Sequence, residues 1–308
     1  MKVIVSMATI PCRKDRLKEN IPSFKNQTYP FDMLIINVLD NLTEEDYQFY
    51  EELKKMDSRI VINKVDGKWR SCNKLIPTLK CYPDDIIITV DDDIYYPNEC
   101  ISTLMQQYEM TPDCIIAQQV HPLILERNEN YINYYMGPSI KLMQKEWGKY
   151  LTGCCLFPPH VFDGTDIFDF DKMMKVTEGT HDELWFWINS MLNGVQCVGL
   201  NYIRDFCMET LSVWGANEFR LATINVERGR HERYMDNLNK LYGKRLLPII
   251  LGKKAQFTVT KDNIYSFVFC LPHIRQQYKN HFTVEYKGLT KGWKKYIRNI
   301  MLGGKAIL

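Results

Sequence analysis

The chain has 308 residues, 45% hydrophobic and 25% charged, which suits a soluble globular protein with a sizeable core. Its formal net charge is only +2, so composition does not single out a nucleic-acid binder, and no apolar run approaches the roughly 20 residues needed to span a bilayer. The ten cysteines are scattered without a CxxC, which argues against a zinc site or a disulfide framework and for a reduced, cytoplasmic chain.

The first half alternates short apolar runs with amphipathic stretches. Strands are predicted at Val3–Met7, Met33–Leu39, Arg59–Asn63, Ile86–Val90 and Cys114–Gln118, and helices at Arg13–Phe24, Glu44–Met56, Asn73–Leu79 and Asn98–Tyr108. The N-terminal strand is too short and too soon broken for a signal peptide. Such alternation predicts an α/β fold, a Rossmann-like and mostly parallel central sheet with helices on both faces. Ligands of such sheets sit beyond the carboxyl ends of the strands. Three strands deliver polar residues there: the first at Thr9, Pro11 and Arg13, the second at Asp40, and the fourth at Asp91, Asp92 and Asp93.

The fourth strand is the most informative. Ile86–Val90 reads as a strand buried on both faces that runs into three consecutive carboxylates. In the pleat Asp91 and Asp93 share one side and Asp92 takes the other. Like charges at the mouth of a buried strand call for a positive partner, and a hard divalent cation carrying phosphate oxygens meets that need, against the plainer alternative of a solvated turn.

Between Val120 and Tyr150 the pattern becomes irregular and aromatic, and Leu151 to Pro159 is an apolar run ended by two prolines. A helix follows from Thr180, with Leu184, Ile188, Met191 and Val195 at helical spacing and Asn193-Gly194 closing it. Thr180 and Glu183 have the spacing of a capping box. The same helix start offers Asp182 and Glu183 as a general base. Trp185 and Trp187 are candidates for stacking on an acceptor sugar, although they lie on different helix faces and at least one belongs in a core. Beyond residue 245 the alternation stops. Gln256–Thr260 and Tyr265–Cys270 have the pattern of a hairpin, and from Lys244 onward thirteen Lys or Arg face two acids, Asp262 and Glu285. Residues 1–245 are therefore expected to form the main domain, and 246–308 a basic C-terminal extension. Trp293, Tyr296, Ile297, Ile300 and Met301 share one helical stripe flanked by lysines, which fits either an interfacial helix on an anionic membrane or a helix packed on its own domain.

Taken in order, Ser6-Met7-Ala8-Thr9-Ile10-Pro11, Asn26-Gln27-Thr28-Tyr29-Pro30, Lys74-Leu75-Ile76-Pro77, the aspartate triplet, Gly153–Pro158 and Asp182-Glu183-Leu184-Trp185-Phe186-Trp187 make the chain similar to family 2-like glycosyltransferases of the GT-A fold. It resembles particularly the bacterial enzymes associated with surface polysaccharide or lipopolysaccharide assembly. The resemblance spans roughly residues 2 to 200. It implies transfer of a sugar, with inversion, from a nucleotide-sugar donor (a UDP-sugar favoured) to a hydroxyl of a glycan or lipid-linked glycan. It implies that Thr9, Pro11 and Asp40 line the base and ribose pocket, with Lys74 and, less strongly, Arg13 near the donor phosphates. Asp91 and Asp93 would form the DxD holding Mn²⁺ or Mg²⁺, and Asp92 would contact ribose or donor sugar. Asp182 or Glu183 would be the catalytic base. A third metal ligand is not evident, and His231 is the candidate against the plainer reading of an exposed helical histidine. Localisation is expected in the cytoplasm, at the inner face of the membrane if the tail binds it, with no nucleic-acid partner. Two other functions compete. A sugar nucleotidyltransferase would carry a glycine-rich phosphate loop, where this chain has Ala8-Thr9-Ile10-Pro11. A non-catalytic carbohydrate-binding module would need no second acidic site.

Overall fold

The structure is a computed structural model that describes residues 1–134, 145–200, 230–252, 255–261, 264, 267, 268, 271 and 282–301. Its strands are β1 (Val3–Ala8), β2 (Met33–Leu39), β3 (Ile60–Val65), β4 (Ile86–Val90), β5 (Ile115–Ala117), β6 (Val120–His121), β7 (Leu123–Glu126), β8 (Tyr131–Tyr134), β9 (Lys149–Tyr150), β10 (Cys154–Phe157), β11 (Cys197–Gly199), β12 (Ala255–Val259) and β13 (Phe282–Tyr286). The helices are α1 (Lys14–Lys25), α2 (Glu44–Met56), α3 (Ile76–Cys81), α4 (Cys100–Met110), α5 (Phe170–Thr177), α6 (Asp182–Leu192), α7 (His231–Gly252) and α8 (Lys291–Met301).

Seven strands form the central sheet in the order β11-β5-β10-β4-β1-β2-β3. Every pairing is parallel except those of β10, which runs antiparallel between β4 and β5. Placing β10 there sets Cys154 opposite Val90, so Thr152 and Gly153 arrive beside the end of β4 where the aspartates begin. The pleat divides the strand residues between two cores. Ile86, Ile88 and Val90 pack with Leu17, Ile21 and Phe24 of α1, Tyr50 and Leu53 of α2, and Leu104 of α4. Ile87 faces the other way, into a cluster with Leu79 of α3, Leu184 and Trp185 of α6, and Leu238 and Leu246 of α7. Helices thus cover both faces of a mostly parallel sheet, as the alternation predicts, and β4 is buried on both sides.

The C-terminal part departs from its sequence pattern. The strand expected at Gln256–Thr260 forms as β12, but it pairs in parallel with β13 rather than as a hairpin with Tyr265–Cys270. Of that second segment only Phe267 and Val268 are described, and both are helical. The position 245/246 falls inside α7, and Leu246, Ile250, Val259, Leu271, Leu289 and Ile297 share one cluster with Trp69 and Trp147. The stripe on α8 faces that cluster, with Ile297 fully buried and Trp293 and Tyr296 packed against it. Its apolar residues therefore cover the protein's own core; Ile300 and Met301 lie outside the residues whose side chains are described. Among the described residues no helix is long and apolar enough to cross a membrane.

Glu146 supplies a pH test of this packing. It is buried, its backbone bridges to Cys197, and burial pushes its carboxyl up to about 8. A carboxyl raised above its unfolded value binds its proton more tightly in the fold, so its contribution to stability is complete below the unfolded value of roughly 4.3 and is lost as pH rises towards 8. Thermal unfolding between pH 5 and 8 should therefore show a falling Tm, and Glu146→Gln should flatten that slope and be the more stable protein at pH 8. An unchanged slope in the variant would rule this group out.

Candidate active site

The site is built from the carboxyl ends of β1 and β4, the turn before α3, and the first turn of α6. Ser6 on β1 donates its hydroxyl to the Lys74 carbonyl at 2.7 Å, and Thr89 on β4 donates to the Thr152 carbonyl at 2.6 Å. Polar strand residues thereby fix the backbone of two residues that line the cleft. Tyr96 accepts the Asp91 amide at 2.8 Å and donates to the Gly153 carbonyl, while Asn20 donates to the Asp91 carbonyl at 3.2 Å. Asp91 needs a glycine beside it, because a Cβ at Gly153 would lie 2.5 Å from its Oδ2.

Each aspartate of the triplet has a different partner. Asp92 is almost fully buried, accepting Thr9 Oγ1 at 2.7 Å and Arg13 Nη1 at 2.6 Å. Its carboxylate therefore joins the ends of β1 and β4, which makes the expected contact with ribose or donor sugar a poor use of it. Asp93 is more open and lies 3.5 Å from the same Arg13 nitrogen. Asp91 pairs with Lys74, whose Nζ also lies 3.3 Å from Asp182 Oδ2 and 3.5 Å from Thr152 Oγ1. Thr152 donates to the same Asp182 oxygen at 3.0 Å. Burial alone would lower the Lys74 pKa, but Asp182 and Asp91 overcome it and hold the ammonium charged. Burial pushes Asp182 up, yet Lys74 and the Thr152 hydroxyl outweigh it and leave the carboxyl below its usual range. Asp91 remains raised by burial despite Lys74.

A second pair lies beside the first. Glu183 pairs with Lys149, a buried lysine 5.2 Å from the Tyr134 ring centre. His181 is held neutral, its pKa lowered to about 3 by burial and then by Lys149. The capping box expected from Thr180 and Glu183 does not form. Helix α6 starts with His181 at its cap position, and the Thr180 hydroxyl meets Tyr234 at 2.7 Å, so that tertiary contacts take both groups.

The acceptor roles expected of Trp185 and Trp187 are corrected. Both are buried, with Trp185 Nε1 donating to the Ile167 carbonyl at 3.0 Å and Trp187 Nε1 to that of Trp147 at 2.7 Å, so neither ring offers a face to a sugar. His231 is 3.1 Å from Asn133 and stacks edge-on against Tyr134, and among the described residues no three His, Cys, Asp or Glu side chains gather as a metal site. Pro11 sits in a 3-10 turn and Asp40 is exposed at the end of β2, both at the carboxyl edge of the sheet but outside the ion-pair network. Thr152, Lys149 and His181 carry no sequence signal of their own; β9, the turn into β10 and the start of α6 bring them in.

Residues 7–158, which hold β1, β4, the triplet and β10, match the family described as Glycosyl transferase family 2. That segment is a glycosyl transferase family 2 domain. Solved structures similar to the chain include those of S. aureus TarS residues 1–349. The TarS 1–349 structure is 12% identical with a TM-score of 0.41, covering 61% of this chain and 56% of that one. Its complex with UDP is 13% identical with a TM-score of 0.42, covering 63% and 56%. Its complex with UDP-GlcNAc is 15% identical with a TM-score of 0.42, covering 63% and 54%. The chain thus spans little more than half the length of these structures. No curated protein matches it.

Proposed function

We propose that this chain is a metal-dependent, inverting glycosyltransferase. It moves a sugar from a nucleoside diphosphate, a UDP-sugar in the first instance, to a hydroxyl of a glycan or lipid-linked glycan in surface polysaccharide synthesis. The observation that carries this reading is the Lys74 bridge, which joins the DxD-like end of β4 at Asp91 to Asp182 at the start of α6. Two acidic groups with different tasks are thereby held within one short network. Asp182 is the base in this reading, because it is kept ionised beside the donor corner, whereas Glu183 is committed to Lys149 on the far side.

In this reading Asp91 and Asp93 would hold a hard divalent cation that keeps phosphate oxygens of the substrate, because carboxylate oxygens are ligands that Mn²⁺ and Mg²⁺ favour and the diphosphate supplies the rest of the shell. Such an ion would stabilise the charge that develops on the departing nucleoside diphosphate. Lys74 adds a second positive charge there, Arg13 and Thr9 hold the triplet's backbone through Asp92, and Asp40, Pro11 and Thr9 border the space for base and ribose. Residues 1–245 carry donor binding and catalysis in this proposal, and 246–308 are a basic accessory segment.

Thermal shift of the full chain with UDP, Mn²⁺ and both together tests it. The expected result is a shift with both that exceeds the sum of the two alone, and Asp93→Ala should lose the metal-dependent part while retaining the wild-type Tm without ligand. No synergy in the wild type would remove the DxD reading.

A further inference from the structure

Glu178 ends α5 in the left-handed region with φ 51°, and Gly179 follows at φ 71°. The Glu178 carboxylate receives Arg233 through Nε at 2.7 Å and Nη2 at 2.8 Å, and Arg230 through Nη1 at 3.3 Å. Its carbonyl accepts Arg70 Nη1 at 3.3 Å. Arg70 is itself at φ 50° and ψ −125°, the kink in the turn that leads to Lys74. A Cβ on Gly179 would lie 3.2 Å from Arg70 Cδ, so the glycine lets the two segments close on each other.

Two guanidiniums, those of Arg230 and Arg233, therefore hold the Glu178 carboxylate while a third, that of Arg70, holds its main-chain carbonyl, and these four side chains sum to a formal +2. The group faces solvent, with Arg70 and Arg233 exposed. Exposed ion pairs contribute little to stability, whereas non-glycine residues held at positive φ are costly and gather at ligand sites. Position adds a second argument. Arg70 precedes Lys74 by four residues and Glu178 precedes Asp182 by four, and Lys74 and Asp182 are in contact. Four residues of chain reach at most about 14 Å, so Arg70 and Glu178, and with Glu178 the arginines it binds, lie within one short span of chain from the Lys74–Asp182 contact.

We propose that Arg70, Arg230 and Arg233 form a phosphate subsite for the acceptor, which holds a phosphoryl group of the acceptor molecule while its hydroxyl meets Asp182. This assignment rests on the glycosyl-transfer reading for the identity of the acceptor, but not for the binding itself. Arginine forks match phosphate oxygens in bidentate geometry, and Glu178 holds the forks in place until a phosphoryl group takes them.

The test uses the full chain saturated with UDP and Mg²⁺, so that the donor diphosphate position is filled. Inorganic phosphate and dimethyl phosphate are titrated separately, with thermal shift and calorimetry as readouts. At least one probe should bind saturably, at least tenfold more weakly in Arg233→Gln and Arg70→Gln. Binding should be at least threefold tighter in Glu178→Gln, a change of opposite sign that damaged folding does not produce. UDP affinity should be the same in all four proteins. Binding of inorganic phosphate alone assigns a terminal monoester or free phosphate, and binding of dimethyl phosphate assigns a diester linkage. If neither probe binds the wild type or Glu178→Gln, or if the arginine variants bind as the wild type does, the subsite is overturned. Failure of UDP to bind while phosphate still depends on Arg233 would overturn the donor reading and leave the subsite standing.

Discussion

Asp182→Asn is expected to lower turnover on the order of 10²–10⁴-fold, the usual worth of a positioned general base, with donor affinity nearly unchanged. Asparagine has the same shape and keeps an oxygen to accept the Thr152 hydroxyl, so the local packing survives. What disappears is the capacity to take a proton from the attacking hydroxyl. The measurement is nucleoside diphosphate release at saturating donor, alongside donor affinity by calorimetry. Glu183→Gln should lose far less, because Glu183 spends its charge on Lys149. The pH profile adds a separate check. Lys74 and the Thr152 hydroxyl hold the Asp182 carboxyl below its usual range against burial, so the base is ionised throughout the neutral region and gives no acidic limb above about pH 5. Wild-type turnover in Asp182→Asn, or a loss equal to it in Glu183→Gln, would take the base role away from Asp182.

Much of this arrangement is legible in the sequence because it is local. The run Ile86–Val90 is apolar on both faces and ends in charge, so its burial and its mouth follow from the residues themselves. The convergence of Thr9, Arg13 and the triplet follows from the rule that parallel strands end on one edge, and the Thr9–Asp92–Arg13 contacts are its outcome. What stays hidden depends on strand order. Nothing in Cys154–Phe157 says that it runs antiparallel between β4 and β5, and that insertion alone brings Thr152 to Asp182 and Gly153 to Asp91. The tryptophans of α6 illustrate a different obstacle. An aromatic beside a carboxylate pair has the composition of a sugar platform, yet Trp185 and Trp187 find carbonyl partners for both indole nitrogens inside the core. The Thr180 and Glu183 spacing has the form of a cap, and it fails because Tyr234 and Lys149, distant in sequence, take the two side chains.

Lys74→Met is expected to destabilise the fold by about 3–5 kcal/mol, the cost of leaving buried charge without its partner. The lysine side chain is 12% exposed and faces carboxylates that are 30% and 9% exposed, those of Asp91 and Asp182. Methionine fills a similar volume but leaves the two acids to face each other. The wild-type lysine has a folded pKa raised above its unfolded value, so its contribution is complete at neutral pH and disappears only in strong alkali. In the variant the uncompensated carboxylates take up protons more readily, and the gap between the two proteins should narrow as pH falls from 7 to 5. Urea unfolding at those two pH values measures it. Combining Lys74→Met with Asp182→Asn should restore part of the loss, because one of the stranded charges is gone, and residues sharing a network are not additive. A single variant within about 1 kcal/mol of wild type at pH 7, well short of the cost of a stranded buried charge, would mean that water already solvates both acids. An additive double variant would mean that Lys74 does not couple Asp91 to Asp182. In either case the bridge that joins donor corner and base would carry no weight in the proposed chemistry.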